Sequence, residues 1–273
     1  MIRSARQALA QSAMWSVVAV GSVRHDSAEL ATSFVRYGGA CDGGAEVRTA
    51  QGGSSLEAGV IWDQIIAWCG EHDVTRPRWS VVRGSEPRAF AELIRALSGV
   101  LADSTEVLVA DIDAALALPI AATAMRAEII ETRDQLAAAD AVAGRIRGSV
   151  TADAEFEAKV RSLAIPIETR TDFGVLARDP SGSAVSAGEC ALTGEVARLS
   201  GAYTAVAHRR RGAYTAVLRK RLETASDAGA TVALARGLAA TSAPILARSG
   251  FTRYATWDKY AIPLIQAGGR DLP

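Results

Sequence analysis

A mixed α/β fold, with helices packed on a sheet of mixed strand direction, is predicted for this 273-residue chain by three observations. Apolar residues recur alternately at strand and at helix spacing along most of its length. Glycine- and proline-marked breaks separate those segments. The length itself, at roughly 150 residues per domain, corresponds to about 1.8 domains. With 49% hydrophobic residues, the chain buries a core without disulfides or metal. Cys41, Cys69 and Cys190 are odd in number, far apart and form no CxxC, so they read as small apolar residues of a reducing compartment and the expected location is cytoplasmic. Thirty basic residues balance thirty acidic ones, which excludes a global field drawing the protein to nucleic acid or to an anionic membrane. No stretch approaches the ~18 apolar residues of a membrane span. The charged opening with Arg3 and Arg6 before Ala13 to Val20 suits an amphipathic helix feeding a strand better than a secretory leader, because Gln7, Gln11 and Ser12 interrupt it.

Element by element, the first half begins with a helix expected from Asp26, as its cap, to about Arg36. Glycines and serines from Gly38 to Gly59 mark loops or a short hairpin. Ile61, Trp62, Ile65, Ile66 and Cys69 then repeat at helical spacing. Trp79 to Val82 is a strand, Pro87 to Leu97 a helix and Glu106 to Ala110 a strand. A domain boundary is expected near Pro119 to Thr123, dividing the chain into 1–122 and 123–273. In the second half, Ala127 to Glu131 is a strand, and Asp134 to Arg147 and Asp153 to Leu163 are helices. Phe173 to Arg178 and Ala184 to Leu192 flank the turn DPSGS as a hairpin. Val196 to Val206 is the next strand, and its apolar phase switches around Ser200 and Gly201, as one extra residue in a bulge would cause. Tyr214, Val217, Leu218, Leu222 and Ala225 line one face of a helix that stops at Gly229. Thr231 to Ala235 is a short buried strand. A last helix is expected to be capped by Ser242, with Pro244 in its first turn, Gly250 at its end and Phe251 folding back onto Leu246. Tyr254 to Ile262 closes the sheet. The run from Ser85 and Pro87 through Gly99 to Ile112 parallels the run from Ser242 and Pro244 through Gly250 to Ile262, which suggests two versions of one fold.

Chemistry concentrates between Thr204 and Ala228, where a strand is followed by His208, Arg209, Arg210, Arg211, Gly212, Ala213 and Tyr214 and then, with no intervening loop expected, by a helix. The first N–H groups of such a helix lack partners and converge with the positive end of its dipole, a geometry that binds phosphate. Gly212 lets a ligand reach the backbone, so Gly212→Glu should remove binding while leaving the melting temperature nearly unchanged. A Walker loop is excluded by the absence of GxxxxGK[ST], and a dinucleotide fingerprint by the absence of GxGxxG. A solvated basic turn capping an ordinary helix stays open as the plain alternative.

These residues and the order of elements resemble the GNAT superfamily of N-acetyltransferases. The family's phosphate loop, [RQ]xxGx[GA], is matched by Arg209, Gly212 and Ala213, while Tyr214 departs from its last place. A short helix ending in a Gly-Phe pair is matched by SAPILARSGF from Ser242 to Phe251. The resemblance implies an acyl-CoA N-acyltransferase (GNAT) fold in two tandem halves, the first a degenerate companion and the second, 123–273, the active one. It further implies acetyl-CoA as cosubstrate. Its pyrophosphate would lie on the backbone of Arg209, Arg210, Arg211, Gly212, Ala213 and Tyr214, with Ser242 nearby, and its pantetheine arm along the main chain of Thr204 and Val206 as an added strand would.

Direct transfer to an amine needs a base, an oxyanion donor and a proton for the leaving thiolate. The family often carries that acid as a tyrosine where this chain has Leu246. The remaining candidates are Glu195, at the head of its strand, as a base through water, and Tyr203, beside the expected thioester; Trp257 and Asp258 are candidates for the acceptor cleft. The acceptor class is a small-molecule or peptide amine, with no metal, no nucleic acid and no membrane involved, and a homodimer is the assembly left open. A non-catalytic module that binds an acyl-CoA is the rival reading.

Overall fold

The structure, a computed structural model, describes residues 7, 23–27, 32–36, 45–49, 58–72, 74, 77–83, 93, 94, 96–119, 123–148, 151 and 153–262. Along them run β1 (Val23–Ser27), β2 (Thr32–Arg36), β3 (Ala45–Thr49), α1 (Ala58–Glu71), β4 (Pro77–Val82), β5 (Val100–Asp111), α2 (Ile112–Ala117) and β6 (Arg126–Ile129). Then follow α3 (Arg133–Arg147), α4 (Asp153–Ser162), β7 (Asp172–Arg178), β8 (Ala184–Thr193), β9 (Val196–Thr204), α5 (Ala213–Asp227), β10 (Val232–Leu238), α6 (Ser242–Arg248) and β11 (Thr252–Ala261). They belong to two compact units. The first comprises residues 1–8, 107–237 and 241–254, and the second residues 9–106, 238–240 and 255–273. Each unit therefore contains a strand segment from the other end of the sequence: 107–111 of β5 in the first, 255–261 of β11 in the second.

In the first unit the strand order is β5-β10-β9-β8-β7-β6. β6 to β9 form an antiparallel meander, and β10 joins β9 in parallel, which requires the α5 crossover between them. Alternation along β7 sends Phe173, Val175 and Ala177 into one core with Val217, Leu218, Leu222 and Ala225 of α5, while Leu176 joins Ile130, Ala139 and Ala187 on the α3 side. Helix α3 starts where Thr132 and Gln135 form a reciprocal capping box. The buried guanidinium of Arg170 ties the chain after α4 to the end of β6, donating to the carbonyls of Ile165 (2.7 Å), Leu163 (2.8 Å) and Ile130 (3.3 Å). Gly250 ends the α6 turn at φ 89°, and the Phe251 N–H donates to the Leu246 carbonyl at 3.1 Å, the fold-back expected of that pair.

In the second unit the order is β1-β2-β3-β4-β11-β5. Its core gathers Trp62, Ile65, Trp68 and Cys69 of α1 with Trp79, Ile94 and Ile262, and Trp62 stacks on Trp79 at 6.0 Å. Asp258 is held by Arg83 through two hydrogen bonds of 2.8 and 2.7 Å and by the Ser104 hydroxyl at 2.6 Å.

Several expectations are corrected here. The helix expected from Asp26 to Arg36 is instead the antiparallel pair β1–β2, with Asp26 opposite Ser33 and no capping role. Partners in β3, from Thr49 opposite Thr32 to Ala45 opposite Arg36, decide that segment, and its local helical pattern yields to them. The glycine-rich stretch contains β3, and β5 starts at Val100 rather than Glu106. Most of the helix expected over Pro87 to Leu97 lies outside the described residues, as do Cys41 and the opening segment apart from the helical Gln7. The cap of α6 is Thr241, not Ser242, and no side-chain hydrogen bond caps it. Cys69 and Cys190 are buried, as small apolar residues are.

Candidate functional site

The site is built at the carboxyl ends of β9 and β10. Their parallel ladder pairs Val232 with Val196 through Ala235 with Leu199 and stops there, although β9 continues to Thr204 and β10 to Leu238. The strands part because β9 carries a bulge. Its register against β8 shifts between Ala187↔Tyr203 and Glu189↔Ser200, so Gly201 and Ala202 together oppose Gly188. Gly201 sits at φ 56°, the left-handed conformation that a bulge of this kind needs and that glycine adopts without strain. The phase change around Ser200 and Gly201 in the sequence thus marks a real bulge.

Beyond Thr204 the chain does not pass straight into the helix. Val206, with 71% of its surface exposed, opens a single 3-10 turn, Val206–His208, and Arg209 to Gly212 form a further turn before α5 begins at Ala213. Arg209 folds back, its Nε donating to the Thr204 carbonyl at 3.4 Å. Arg210 adopts φ 61° and Gly212 φ 84°. An arginine in that region costs about 1–2 kcal/mol, so the turn is held by what surrounds it. Among the described residues, the N–H groups of Arg210 through Thr215 donate to no backbone carbonyl, and Gly212, the N-cap, offers no side chain in their place. Three arginines adjacent in sequence and the positive end of a 15-residue helix thus accompany six amides that lack a backbone acceptor.

Gly212 is required for a reason the sequence does not disclose. A Cβ there would lie 2.6 Å from Thr123 Oγ1 and 2.7 Å from Thr123 Cβ, and that hydroxyl donates to the Arg211 carbonyl at 3.2 Å. Thr123 props the loop from behind, so a Gly212 side chain collides with protein before it meets any ligand. The expectation that Gly212→Glu leaves the melting temperature unchanged is overturned by this contact.

Pairing across the bulge keeps Ala187, Glu189, Ser200 and Tyr203 on the sheet face covered by α3 and α4. Glu189 is the carboxylate beside the bulge, since a Cβ on Gly201 would meet its Oε2 at 3.1 Å. Its Oε1 lies 2.8 Å from Lys159 Nζ of α4, which also approaches Glu155 at 3.5 Å. Burial works against the lysine charge, but the two carboxylates outweigh it and hold the Lys159 pKa above its ordinary value. Sequence reasoning missed Glu189. The turn at Gly194 and the phase switch were the signals that would have set it opposite Ser200.

Glu195 stands instead in the β8–β9 turn, six residues from Gly201 and so on the order of 20 Å along the strand. Its carbonyl accepts the N–H groups of Thr231 and Val232. Tyr203 is half-buried on the Glu189 face, and its carbonyl accepts from Ser186 Oγ at 2.9 Å. The Tyr214 phenol is pushed above its ordinary pKa by burial, against the pull of the nearby Arg221 charge. His208 Nε2 meets Asp179 Oδ2 at 3.1 Å at the rim of the loop. Ser242 is the first residue of the seven-residue α6. Leu246 is 2% exposed and packs in the core of the first unit. Trp257 and Asp258 are buried in the second unit, where Arg83 and Ser104 occupy the carboxylate. Among the described residues no cluster of His, Cys, Asp and Glu is arranged to hold a metal ion, and no helix is long and apolar enough to cross a membrane.

A chain whose strands part after one parallel ladder, with a helix amino terminus at the same end, has the mixed α/β fold of acyl-CoA N-acyltransferases of the GNAT type. It is similar to a GCN5-related N-acetyltransferase from Kribbella flavida, with 19% identity and a TM-score of 0.69 over 96% of this chain and 97% of that one. It is also similar to a tandem GNAT protein from the clavulanic acid biosynthesis pathway, with 15% identity and a TM-score of 0.61 over 88% of this chain and 79% of that one. A GCN5-related N-acetyltransferase from Sphaerobacter thermophilus shares 13% identity and a TM-score of 0.60 over 88% of this chain and 75% of that one. No family model and no curated protein sequence matches the chain.

Proposed function

We propose that the protein is an acetyl-CoA-dependent N-acetyltransferase whose active unit is the one containing β9, β10 and α5, and that the two halves of the chain are tandem GNAT-like copies. The observation that carries this reading is the early end of the β9–β10 ladder at Leu199↔Ala235, on the side where six amides lack backbone partners. A gap between parallel strands at their carboxyl ends accepts an extended chain that pairs with the free edge. Pantetheine has that shape and carries amides of its own. Its diphosphate would reach the N–H groups of Arg210 to Thr215, with Arg209 and Arg211 adding charge, and its thioester would lie beside Gly201.

In the reaction the lone pair of the neutral acceptor amine attacks the thioester carbonyl carbon, the C–S bond breaks, coenzyme A leaves as the thiol and the amine gives up one proton. Negative charge builds on the carbonyl oxygen, so an N–H donor at the bulge lowers the barrier. Glu189 takes the role of base, directly or through water, because it is the carboxylate at the bulge. Tyr203 shares its face and is the candidate for returning a proton to sulfur. The acceptor is a small-molecule or peptide amine.

Burial of Leu246 in the core favours a second reading, a non-catalytic module that binds an acyl-CoA. Calorimetric titration with acetyl-CoA tests both readings, and release of free thiol with a panel of amines separates them. Binding with turnover supports the enzyme, binding without it supports the module, and no heat of binding refutes both.

A further inference from the structure

We infer that Arg221 is a positioning residue for acyl transfer: through the Ser200 carbonyl, its buried guanidinium aims and polarises the Gly201 N–H toward the gap between β9 and β10. This rests on the reading that a thioester occupies that gap.

Arg221 projects from α5 beneath the bulge and is 1% exposed. The place where it lies is vacated by Gly188, whose Cβ would stand 3.0 Å from the Arg221 Cζ. Its Nη1 donates to the carbonyls of Glu189 and Ser200, each at 3.2 Å, and these are the two residues paired at the edge of the bulge. Its Nε and Nη2 find no acceptor in good hydrogen-bond geometry, the Tyr214 phenol lies nearby, and among the described residues no carboxylate pairs with it. A buried, uncompensated cation costs several kcal/mol, and an apolar side chain of similar volume there is commonly neutral or stabilising. Stability alone therefore does not account for a guanidinium at this place.

Peptide geometry supplies the account. In a trans peptide the carbonyl of one residue and the N–H of the next point in opposite directions. With the Ser200 carbonyl held down onto Arg221, the Gly201 N–H is directed away from it. Gly201 pairs with no residue of β8, and the ladder with β10 has already ended two residues earlier. A charge-assisted hydrogen bond to the carbonyl oxygen withdraws electron density through the peptide and strengthens its N–H as a donor, by about 10–30% per bond. Arg221 touches no substrate; it acts through the peptide that does.

The test uses the full chain and acetyl-CoA labelled with carbon-13 at the acetyl carbonyl. In the wild type the bound carbonyl resonance should move downfield from its free position. Arg221→Met should lose roughly half or more of that movement while binding acetyl-CoA within about threefold, and Arg221→Lys, which keeps the charge, should retain most of it. An unchanged movement in Arg221→Met overturns the inference. A second measurement needs no variant: the Gly201 amide resonance of the wild type should shift with acetyl-CoA but not with the S-ethyl thioether of coenzyme A, which has no carbonyl. Equal shifts with both ligands overturn the inference even if Arg221→Met fails to fold. Binding of neither ligand refutes the parent reading instead.

Discussion

Replacing Gly212 by alanine should destabilise the ligand-free protein by about 2–5 kcal/mol. An L-residue at φ 84° costs about 1–2 kcal/mol, and a methyl 2.6–2.7 Å from the Thr123 side chain adds about 1–3 kcal/mol of overpacking. For a unit of this size each kcal/mol moves the melting temperature by roughly 2–4 °C, so scanning calorimetry should show a fall of about 4–20 °C. The two contributions separate in a double-mutant cycle with Thr123→Gly, which removes the opposing side chain but not the backbone strain. The pair should couple favourably, recovering the overpacking part and leaving a loss of about 1–2 kcal/mol. If Gly212→Ala melts with the wild type, or if Thr123→Gly shows no coupling with it, the geometry argued for this loop is wrong. A lost affinity for acetyl-CoA in any Gly212 variant must therefore be judged against that fall in stability.

Three further outcomes follow from the structure. Glu189→Gln should lower kcat on a responsive amine by about 10²-fold or more while acetyl-CoA affinity holds, whereas Glu195→Gln should change neither; equal effects in steady-state kinetics would place the base elsewhere. Burial opposes the charge of Asp258, but hydrogen bonds from Arg83 and Ser104 prevail and hold its pKa below the ordinary value. A depressed carboxyl contributes stability that is complete above about pH 4 and is lost as the pH falls through the folded pKa. The urea midpoint of Asp258→Asn should accordingly fall less steeply below pH 4 than that of the wild type, and parallel profiles would contradict the pairing. Burial pushes the thiols of Cys69 and Cys190 up to about 11 and about 12, so iodoacetamide at pH 8 should leave both unmodified until the protein is denatured, as mass spectrometry of tryptic peptides would record.

What could be read from the chain alone depended on how local its cause was. The α5 stripe from Tyr214 to Ala225 and the Gly250–Phe251 stop are set by neighbours within a few residues, and both stand where expected. The bulge was legible because one extra residue shifts the side-chain alternation of a single strand. Asp26 to Arg36 was misread as a helix because its conformation is decided by pairing with β3. Thr123 behind Gly212, 89 positions away, and Arg221 beneath Ser200 leave no periodic trace, since each acts through one contact across the fold. The carboxylate at the bulge was sought on β9 itself, and the register with β8 supplies it from the neighbouring strand.

The strand segment 107–111 has a consequence for how this gene can change. Leu108 and Ala110, with Ile112 just after them, lie in the same core as Leu246 and Phe251, although more than a hundred residues separate them in sequence. Deleting the first 122 residues to keep only the portion with the basic turn would strip four buried side chains, Ala115 being the fourth, from that core. The unit that carries the basic turn thus draws part of its core from a strand encoded well ahead of it.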